Sequence, residues 1–173
     1  YTLTGNVNES GSCFTITTDH VILDLAGYNI TGSGVGFGVE VGNATNVTIR
    51  NGSFKNYLKV VSAHNVTYLN ITNITVLNSV TTGFEFINVN HSSIEGSSAK
   101  AVGVSLNFSQ SFNNTIHNNL FNATSYQVDD DGANHYNISY GCSDDYENIV
   151  GGNCTGGNYW AEYRGSDSGA GSS

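Results

Sequence analysis

The chain has 173 residues, enough for one domain with a continuous core, and 38% of them are hydrophobic. Gly, Tyr and Phe are frequent, Pro and Met are absent and only 11% of residues are charged, which favours β-structure over long amphipathic helices. The formal net charge of −9 argues against nucleic-acid binding, because this surface repels a polyanion.

Hydropathy and the start of the chain indicate an extracellular protein. No apolar run approaches the roughly 18 to 20 residues that cross a bilayer, so we predict no membrane span. No leader sequence precedes Tyr1, which we interpret as a mature secreted chain whose leader has been removed. The acidic excess is typical of an extracellular protein kept in solution by its charge, although it also suits attraction of cations.

Five short β-like segments follow one another, and their starts are 26, 19, 26 and 22 residues apart. They are His20-Val-Ile-Leu-Asp, Asn46-Val-Thr-Ile-Arg, Asn65-Val-Thr-Tyr-Leu, His91-Ser-Ser-Ile-Glu and Asn113-Asn-Thr-Ile-His. Each has a large residue at its fourth place, and several alternate apolar with polar residues. Self-similarity of this length, made of strands and turns, predicts an all-β parallel solenoid whose coils pair with their neighbours.

The fifth places of these segments predict which exposed side chains stack. They form a column of Asp24, Arg50, Leu69, Glu95 and His117. Asp24 and Arg50 are expected to form an exposed cross-strand ion pair, of the kind worth about 0.2 to 1 kcal/mol. A catalytic groove along the column is the alternative.

We predict a single domain over residues 1–164. Its solenoid covers about residues 12–125, and a loop-rich, aromatic C-terminal cap covers about residues 126–164, because the repeat fades there. A Gly/Ser-rich tail, 165–173, follows. The exposed ends of a solenoid need covering, and Tyr159, Trp160 and Tyr163 are the expected plugs.

Three cysteines allow at most one disulfide within the chain. We predict that Cys142 pairs with Cys154, because both lie in a Gly/Asn-rich segment where a bridge closing a short loop is useful. Cys13 is then left over. Three reduced, buried cysteines are the alternative.

The sequence is rich in Asn-x-Ser/Thr acceptor sites for N-glycosylation. The fourteen sites are Asn8, Asn29, Asn43, Asn46, Asn51, Asn65, Asn70, Asn73, Asn90, Asn107, Asn113, Asn122, Asn137 and Asn153. We expect several to carry covalent N-glycans on a secreted surface protein, with Asn8, Asn43, Asn90 and Asn137 the most accessible. Some are expected instead to be ladders of stacked Asn side chains at turns, since alternating strands also produce this pattern.

Residues able to bind metal are few. The histidines His20, His64, His91, His117 and His135 show no ligand spacing, so turn or capping roles are expected for them. Two acidic loops have oxygen ligands suited to structural Ca²⁺. They contain Asp129, Asp130 and Asp131, and Asp144 and Asp145. Neither has EF-hand spacing, so charged loops that face solvent are the favoured interpretation and structural Ca²⁺ is the alternative; no other cofactor is predicted.

Catalytic residues are equally sparse. Enzymes that cleave polysaccharides need paired carboxylates or a base beside acidic cation ligands. The candidates here are Asp24, Glu40, Glu85 and Glu95 as carboxylates, and Arg50 or Lys100 as a base. They form no recognisable cluster, and we predict that the protein is not an enzyme.

Two stretches carry a family resemblance. Residues 13–32, CFTITTDHVILDLAGYNITG, and residues 156–163, GGNYWAEY, resemble the opening coils and closing motif of pectate-lyase-like right-handed parallel β-helix proteins. Within this group, the two stretches resemble the carbohydrate-binding or copper-maturation-type periplasmic branch, which is common on archaeal cell surfaces. The resemblance implies right-handed coils and suggests carbohydrate binding or copper handling; the absence of Met and the scattered histidines argue against copper. It assigns no catalytic residue.

We interpret the chain as a glycosylated structural protein of the cell surface. Solenoid ends expose unpaired strands, which predicts head-to-tail self-assembly into a filament or surface layer by strand pairing between copies. The alternative is a β-helix that binds or cleaves carbohydrate through exposed aromatic residues, for which Tyr57, Tyr68 and Tyr126 are candidates.

Overall fold

The computed structural model describes residues 1–132, 134–135, 149 and 157–161. Every regular element in these residues is a β-strand, and we find no helix among them that is long and apolar enough to cross a membrane. Cys142, Cys154, Asp144, Asp145, Asn137, Asn153, Tyr163 and the 165–173 tail lie outside the described residues. The predictions for them, including the disulfide, stay predictions.

Twelve strands in the described residues form one continuous parallel sheet. They are β1 (Val7–Asn8), β2 (Phe14–Ile16), β3 (Ile22–Asp24), β4 (Asn29–Thr31), β5 (Phe37–Lys55), β6 (Lys59–Leu77), β7 (Thr82–Asn90), β8 (Ser93–Glu95), β9 (Ser98–Ser109), β10 (Thr115–His117), β11 (Leu120–Asp130) and β12 (Tyr159–Trp160). Strands paired in parallel need a crossover, and here the crossover is the rest of each coil.

The chain winds through about six coils. Coil 1 covers residues 12–36, coil 2 covers 37–58, coil 3 covers 59–81, coil 4 covers 82–103, coil 5 covers 104–125, and coil 6 begins at residue 126. Pairing follows this repeat, since Val61 lies between Val39 of the coil before and Phe84 of the coil after. The predicted all-β parallel β-helix is therefore confirmed.

Each coil has three straight faces, which we call A, B and C. Face A contains 14–16, 39–42, 61–64, 84–87 and 106–109; face B contains 22–24, 48–50, 70–72, 93–95 and 115–117; face C contains 29–31, 53–55, 75–77, 98–100 and 120–122. Alternate residues point inward, so each inward position becomes a stack along the solenoid axis. On face B this stack is Leu23, Ile49, Ile71, Ile94 and Ile116, all buried.

Aromatic rings fill the wider parts of the core. Phe86 and Phe108 meet edge to face with ring centroids 5.1 Å apart. Tyr57 is fully buried beside Phe54, with centroids 6.3 Å apart, so its predicted exposure is wrong. Gly32 makes room for it: a Cβ there would lie 2.7 Å from a carbon of the Tyr57 ring.

The corners between faces have left-handed backbone. Fifteen non-glycine residues in the described chain have positive φ, and ten of them are Asn. Asn tolerates this conformation better than most residues because its short polar side chain can hydrogen-bond locally. The repeated corners therefore explain much of the asparagine content of the chain.

The structure corrects the register of the third predicted segment. Val47 pairs with Leu69, so the residue beside Asn46 is Tyr68 and the segment begins three residues later than predicted. Leu69 is consequently buried, and Thr72 lies between Arg50 and Glu95 in the outward column.

Parallel pairing also runs beyond the predicted 12–125 solenoid. At the start, Val7 of β1 pairs with Ile30. At the other end β11 continues to Asp130, and Thr115 pairs with His135. In the described part of coil 6, Val128 continues the apolar stack beside Leu106, whereas Asp130 pairs with Phe108, so the apolar repeat weakens before the pairing ends.

Closure of the C-terminal end involves Trp160. Strand β12 pairs Trp160 with Phe121, and their rings stack with centroids 4.9 Å apart. The predicted plug is thus confirmed for Trp160, whereas Tyr159 on the same strand is half exposed.

Candidate functional site

Face B has one firm ion pair near its start. Asp24 and Arg50 are register partners, and Arg50 Nε donates to Asp24 Oδ2 over 2.9 Å, as the sequence predicts. The backbone N–H of Ala26 also donates to Asp24, and this bond, with those from Asn51 and Arg50, holds the pKa of the Asp24 carboxyl below its usual value. Arg50 is therefore paired with a carboxylate that stays ionised.

Face A has a second, more buried pair at coils 3 and 4. Lys59 Nζ donates to both carboxylate oxygens of Glu85, at 2.7 and 2.8 Å, and Ser62 Oγ donates to Glu85 Oε2 at 2.8 Å. Glu85 is only 6% exposed. A buried carboxylate is stable only with such compensation, so this cluster has a structural role of its own.

His64 lies on face A beside the backbone of the previous coil. A Cβ on Gly42, its register partner, would collide with the imidazole, so the glycine creates the space in which the ring lies. His64 Nε2 is 3.6 Å from Glu40 Oε1, and both side chains are partly exposed. Glu40, Ser62 and Glu85 are consecutive residues of one outward column.

The corner between faces A and B, which we call the A/B corner, exposes an aromatic pair. Tyr68 of coil 3 and His91 of coil 4 stack with ring centroids 5.8 Å apart and an interplanar angle of 24°. Tyr68 is 57% exposed, and Phe112 of coil 5 adds a second exposed ring to this corner. Tyr126 is exposed as well, but it starts coil 6 and belongs to a different corner.

The backbone at Tyr68 is unusual for its residue type. One column contains His20, Asn46, Tyr68, His91 and Asn113, and every member has φ between 53° and 60°. Left-handed backbone is uncommon for a bulky residue and costs on the order of 1 kcal/mol or more. The turn role expected for His20 and His91 agrees with this geometry.

Polar groups surround the aromatic pair. Toward face A, Asn43, Asn65 and Asn88 form an exposed amide ladder, with Nδ2 to Oδ1 distances of 3.1 and 2.8 Å. Toward face B, Ser93 Oγ donates to Asn70 Oδ1 at 3.0 Å. The A/B corner thus combines a stacking surface with hydroxyl and amide groups, the combination that suits a sugar ring.

A second ladder lies inside the solenoid and was missed from the sequence. Ser97 N donates to Asn119 Oδ1, and Asn119 N donates to Asn158 Oδ1, so three coils are joined at one corner. Ser92, Asn114 and Asn134 repeat this arrangement at the A/B corner. The signal available in the sequence was a Ser or Asn placed two to three residues after an apolar strand residue.

The twelve described N-glycosylation sites are all at least partly exposed. Six of them have left-handed backbone: Asn43, Asn46, Asn51, Asn65, Asn73 and Asn113. Asn43 with Asn65 and Asn51 with Asn73 are joined by amide ladders. Four exposed sites make no side-chain hydrogen bond within the described part of the chain: Asn8, Asn46, Asn113 and Asn122.

The described residues include no group of three or more His, Cys, Asp or Glu placed to hold a metal ion. Asp129 is exposed, Asp130 accepts hydrogen bonds from Gly132 N and Asn134 Nδ2, and Asp131 accepts from Gln110 N. His117 lies 3.2 Å from Glu95 on face B, away from the His64–Glu40 pair on face A. Calcium binding by the acidic loops stays a prediction.

Cys13 lies half-buried at the start of coil 1. Burial raises the pKa of the Cys13 thiol, and burial likewise raises the pKa of its neighbour Tyr57. The thiol is therefore neutral near pH 7 and poorly reactive.

Comparison with known proteins gives one match. The family model described as periplasmic copper-binding protein (NosD) matches residues 3–165. No curated protein and no solved structure matches the chain. Because the match covers nearly the whole solenoid and its closing motif, the chain belongs to the NosD family of parallel β-helix proteins.

Proposed function

We propose that this protein is a carbohydrate-binding β-helix protein that acts outside the cytoplasm, and that it binds a glycan at the A/B corner around Tyr68 and His91. The periplasmic description of the family supports the location. Tyr68 is the observation that carries the proposal, because it combines an exposed ring with backbone that disfavours this residue.

A purely structural corner has no need of tyrosine. The neighbouring coils place Asn46 and His91 in the same column, and Asn accepts left-handed backbone at lower cost. Strained residues are concentrated at binding sites, where the surrounding structure maintains the strain. An exposed tyrosine ring also supplies a flat apolar surface with a polar hydroxyl, which suits stacking against the C–H face of a sugar.

Binding is proposed without cleavage. Two of the carboxylates considered for catalysis, Asp24 and Glu85, are engaged by Arg50 and Lys59. A general acid needs a proton to give, and the bonds from Ala26 N–H, Asn51 and Arg50 hold the pKa of the Asp24 carboxyl below its usual value. Incubation with a bound glycan should therefore release no new reducing or unsaturated ends.

Copper binding does not suit the described residues, although the family description names it. The histidines in this part of the chain are dispersed, and their closest acidic partners form two separate pairs on faces A and B. The chain has no Met, and the described donors never number three in one place. We derive no function from copper.

Substitution of Tyr68 by Asn tests the proposal. Asn relieves the backbone strain, and this gain offsets the lost ring contact with His91, so the free energy of unfolding should change by less than about 1 kcal/mol. Glycan affinity should fall by at least about tenfold, which corresponds to about 1.4 kcal/mol. Titration calorimetry with a panel of soluble polysaccharides measures the glycan affinity of wild type and of Tyr68→Asn.

Tyr126→Asn is the matched control, since it removes another exposed tyrosine and should leave affinity unchanged. Equal affinity of wild type and Tyr68→Asn for every bound glycan would show that the A/B corner is not the site. Loss of affinity in Tyr126→Asn instead would place the site at the start of coil 6.

End-to-end assembly is a second proposal. Its support is a cavity of about 460 Å³ at the N-terminal end of the solenoid, where core side chains such as Phe14, Ile16 and Leu23 face an open space. A terminal coil of a second copy would cover these residues and extend the sheet. Fibres in electron micrographs of native protein are expected; a monomer at all concentrations in light scattering contradicts assembly.

N-glycosylation is also proposed, with Asn8, Asn46, Asn113 and Asn122 as the preferred acceptors. Their exposed amides carry no hydrogen bond in the described structure, so attachment of a glycan disrupts no ladder. Intact mass of native protein should exceed the 18.3 kDa of the polypeptide. An unmodified mass would exclude this proposal without affecting glycan binding.

A further inference from the structure

We infer that the glycan bound at the A/B corner is uncharged, a polymer of neutral sugars and not a polyuronate or a sulfated chain. This inference rests on the proposed function and specifies its ligand. It comes from the distribution of charge around the Tyr68–His91 pair.

Carboxylates outnumber cations around the A/B corner. In coils 1 to 4 the acidic residues at this corner and on faces A and B are Asp19, Asp24, Glu40, Glu85 and Glu95. The cations beside them are Arg50 and Lys59. A polyanionic glycan lying across these faces would therefore meet a surface of its own sign.

Each cation already lies beside a carboxylate that balances its charge. Lys59 contacts both oxygens of Glu85, and its side chain is only partly exposed. Arg50 is held by Asp24, whose lowered pKa keeps it ionised. A uronate at either cation would lie next to a carboxylate that is already in place, so the net attraction is small.

The two described lysines outside ion pairs lie on another face. Lys55 and Lys100 are exposed on face C, where Leu77 separates them in the same column. Face C lies beyond face B from the Tyr68 ring, so neither lysine borders the A/B corner. A polyuronate attracted by these lysines would bind independently of Tyr68.

Neutral sugars suit the groups that remain. Hydroxyl and amide side chains flank the rings, including Thr67, Asn65 and Asn70, and these donate to and accept from sugar hydroxyls without needing charge. Stacking on Tyr68 is likewise independent of ligand charge. The uncharged ligand thus loses nothing at this surface, whereas an anionic one is repelled.

The test compares neutral and anionic polysaccharides on the same protein. Soluble glucan, mannan and galactan are titrated into wild type and Tyr68→Asn, and polygalacturonate and alginate follow at low ionic strength, where any attraction to charge is strongest. At least one neutral polymer should bind in a Tyr68-dependent way. The polyuronates should bind at least tenfold more weakly, and any residual binding should survive Tyr68→Asn but not Lys55→Gln/Lys100→Gln.

One variant sharpens the charge argument. Asp24→Asn keeps the side-chain acceptor for Ala26 and removes the carboxylate that neutralises Arg50. Polyuronate binding should increase severalfold in this variant, while neutral glycan binding should be unchanged.

The outcomes separate the two proposals. Polyuronate binding that equals or exceeds neutral binding and is lost in Tyr68→Asn overturns the neutral-ligand inference and leaves the A/B corner as the site. Failure of all five polymers to bind wild type overturns the proposed function itself.

Discussion

Replacement of Asn119 by Ala should be among the most destabilising single changes in the solenoid. Asn119 is fully buried at the corner between faces B and C. Its Oδ1 accepts from Ser97 N at 2.8 Å, and its Nδ2 lies 2.8 Å from Ile94 O, 2.8 Å from His117 O and 2.9 Å from Asn158 Oδ1 as a donor. Alanine removes all four contacts and leaves a space too enclosed for free hydration.

The expected magnitude follows from those contacts. The Ser97 N–H loses its acceptor, and the carbonyls of Ile94 and His117 each lose a donor. A buried polar group left without a partner costs about 1 to 3 kcal/mol. We expect a loss of about 3 to 5 kcal/mol in all, a large part of the 5 to 15 kcal/mol typical of a domain.

Urea denaturation followed by two probes measures the effect. Trp160 is the only tryptophan and stacks on Phe121, so its fluorescence reports the C-terminal end, while circular dichroism reports the whole solenoid. In Asn119→Ala the Trp160 transition should move to lower urea ahead of the dichroism transition, because coils communicate only with their neighbours. Asn122→Ala is the control for an exposed Asn. A loss of unfolding free energy below about 0.5 kcal/mol in Asn119→Ala, which is the level of a surface substitution, would refute the reasoning.

Two further predictions concern the ion pairs. Lys59→Met leaves Glu85 buried without its cation and should lower the free energy of unfolding by about 2 to 3 kcal/mol. This is less than for a fully buried pair, because the Lys59 side chain is 28% exposed. The double variant Lys59→Met/Glu85→Gln should recover most of the loss, and a double variant as unstable as the single one would contradict the prediction. Because the pKa of Asp24 is lower in the folded state, Asp24 stabilises the fold at pH values above its ordinary pKa of 3.8. This contribution is lost as the pH falls through the lower pKa of the folded state. Urea midpoints of wild type and Asp24→Asn should therefore converge on acidification; a constant difference from pH 7 to 3 argues against it.

The fold was predictable because its repeat is periodic. Each coil restores the same inward apolar positions, and the Asp24–Arg50 pair followed from spacing alone. The register of the third segment was not predictable, because coils 2 to 5 each have two left-handed residues three positions apart at the A/B corner. Asn43-Ala-Thr and Asn46-Val-Thr occupy these positions in coil 2, and Asn65-Val-Thr imitates the second although it belongs to the first.

The candidate site was predictable only in part. Tyr68 and Tyr57 look equally able to be exposed in the sequence, yet Tyr57 is buried beneath Gly32 on the adjoining coil. That contact joins residues 25 positions apart and depends on the coil length. The same holds for the Tyr68–His91 stack, which a three-residue error in register conceals.

The most direct test of glycan binding at the A/B corner is to observe the rings themselves during titration. Carbon-13 labelling of Tyr and His side chains gives separate ring signals in nuclear magnetic resonance spectra. Addition of a neutral polysaccharide should shift the signals of Tyr68 and His91 and leave that of Tyr126 unchanged. Shifts confined to Tyr126, or none at Tyr68 under conditions where calorimetry shows binding, would contradict the account.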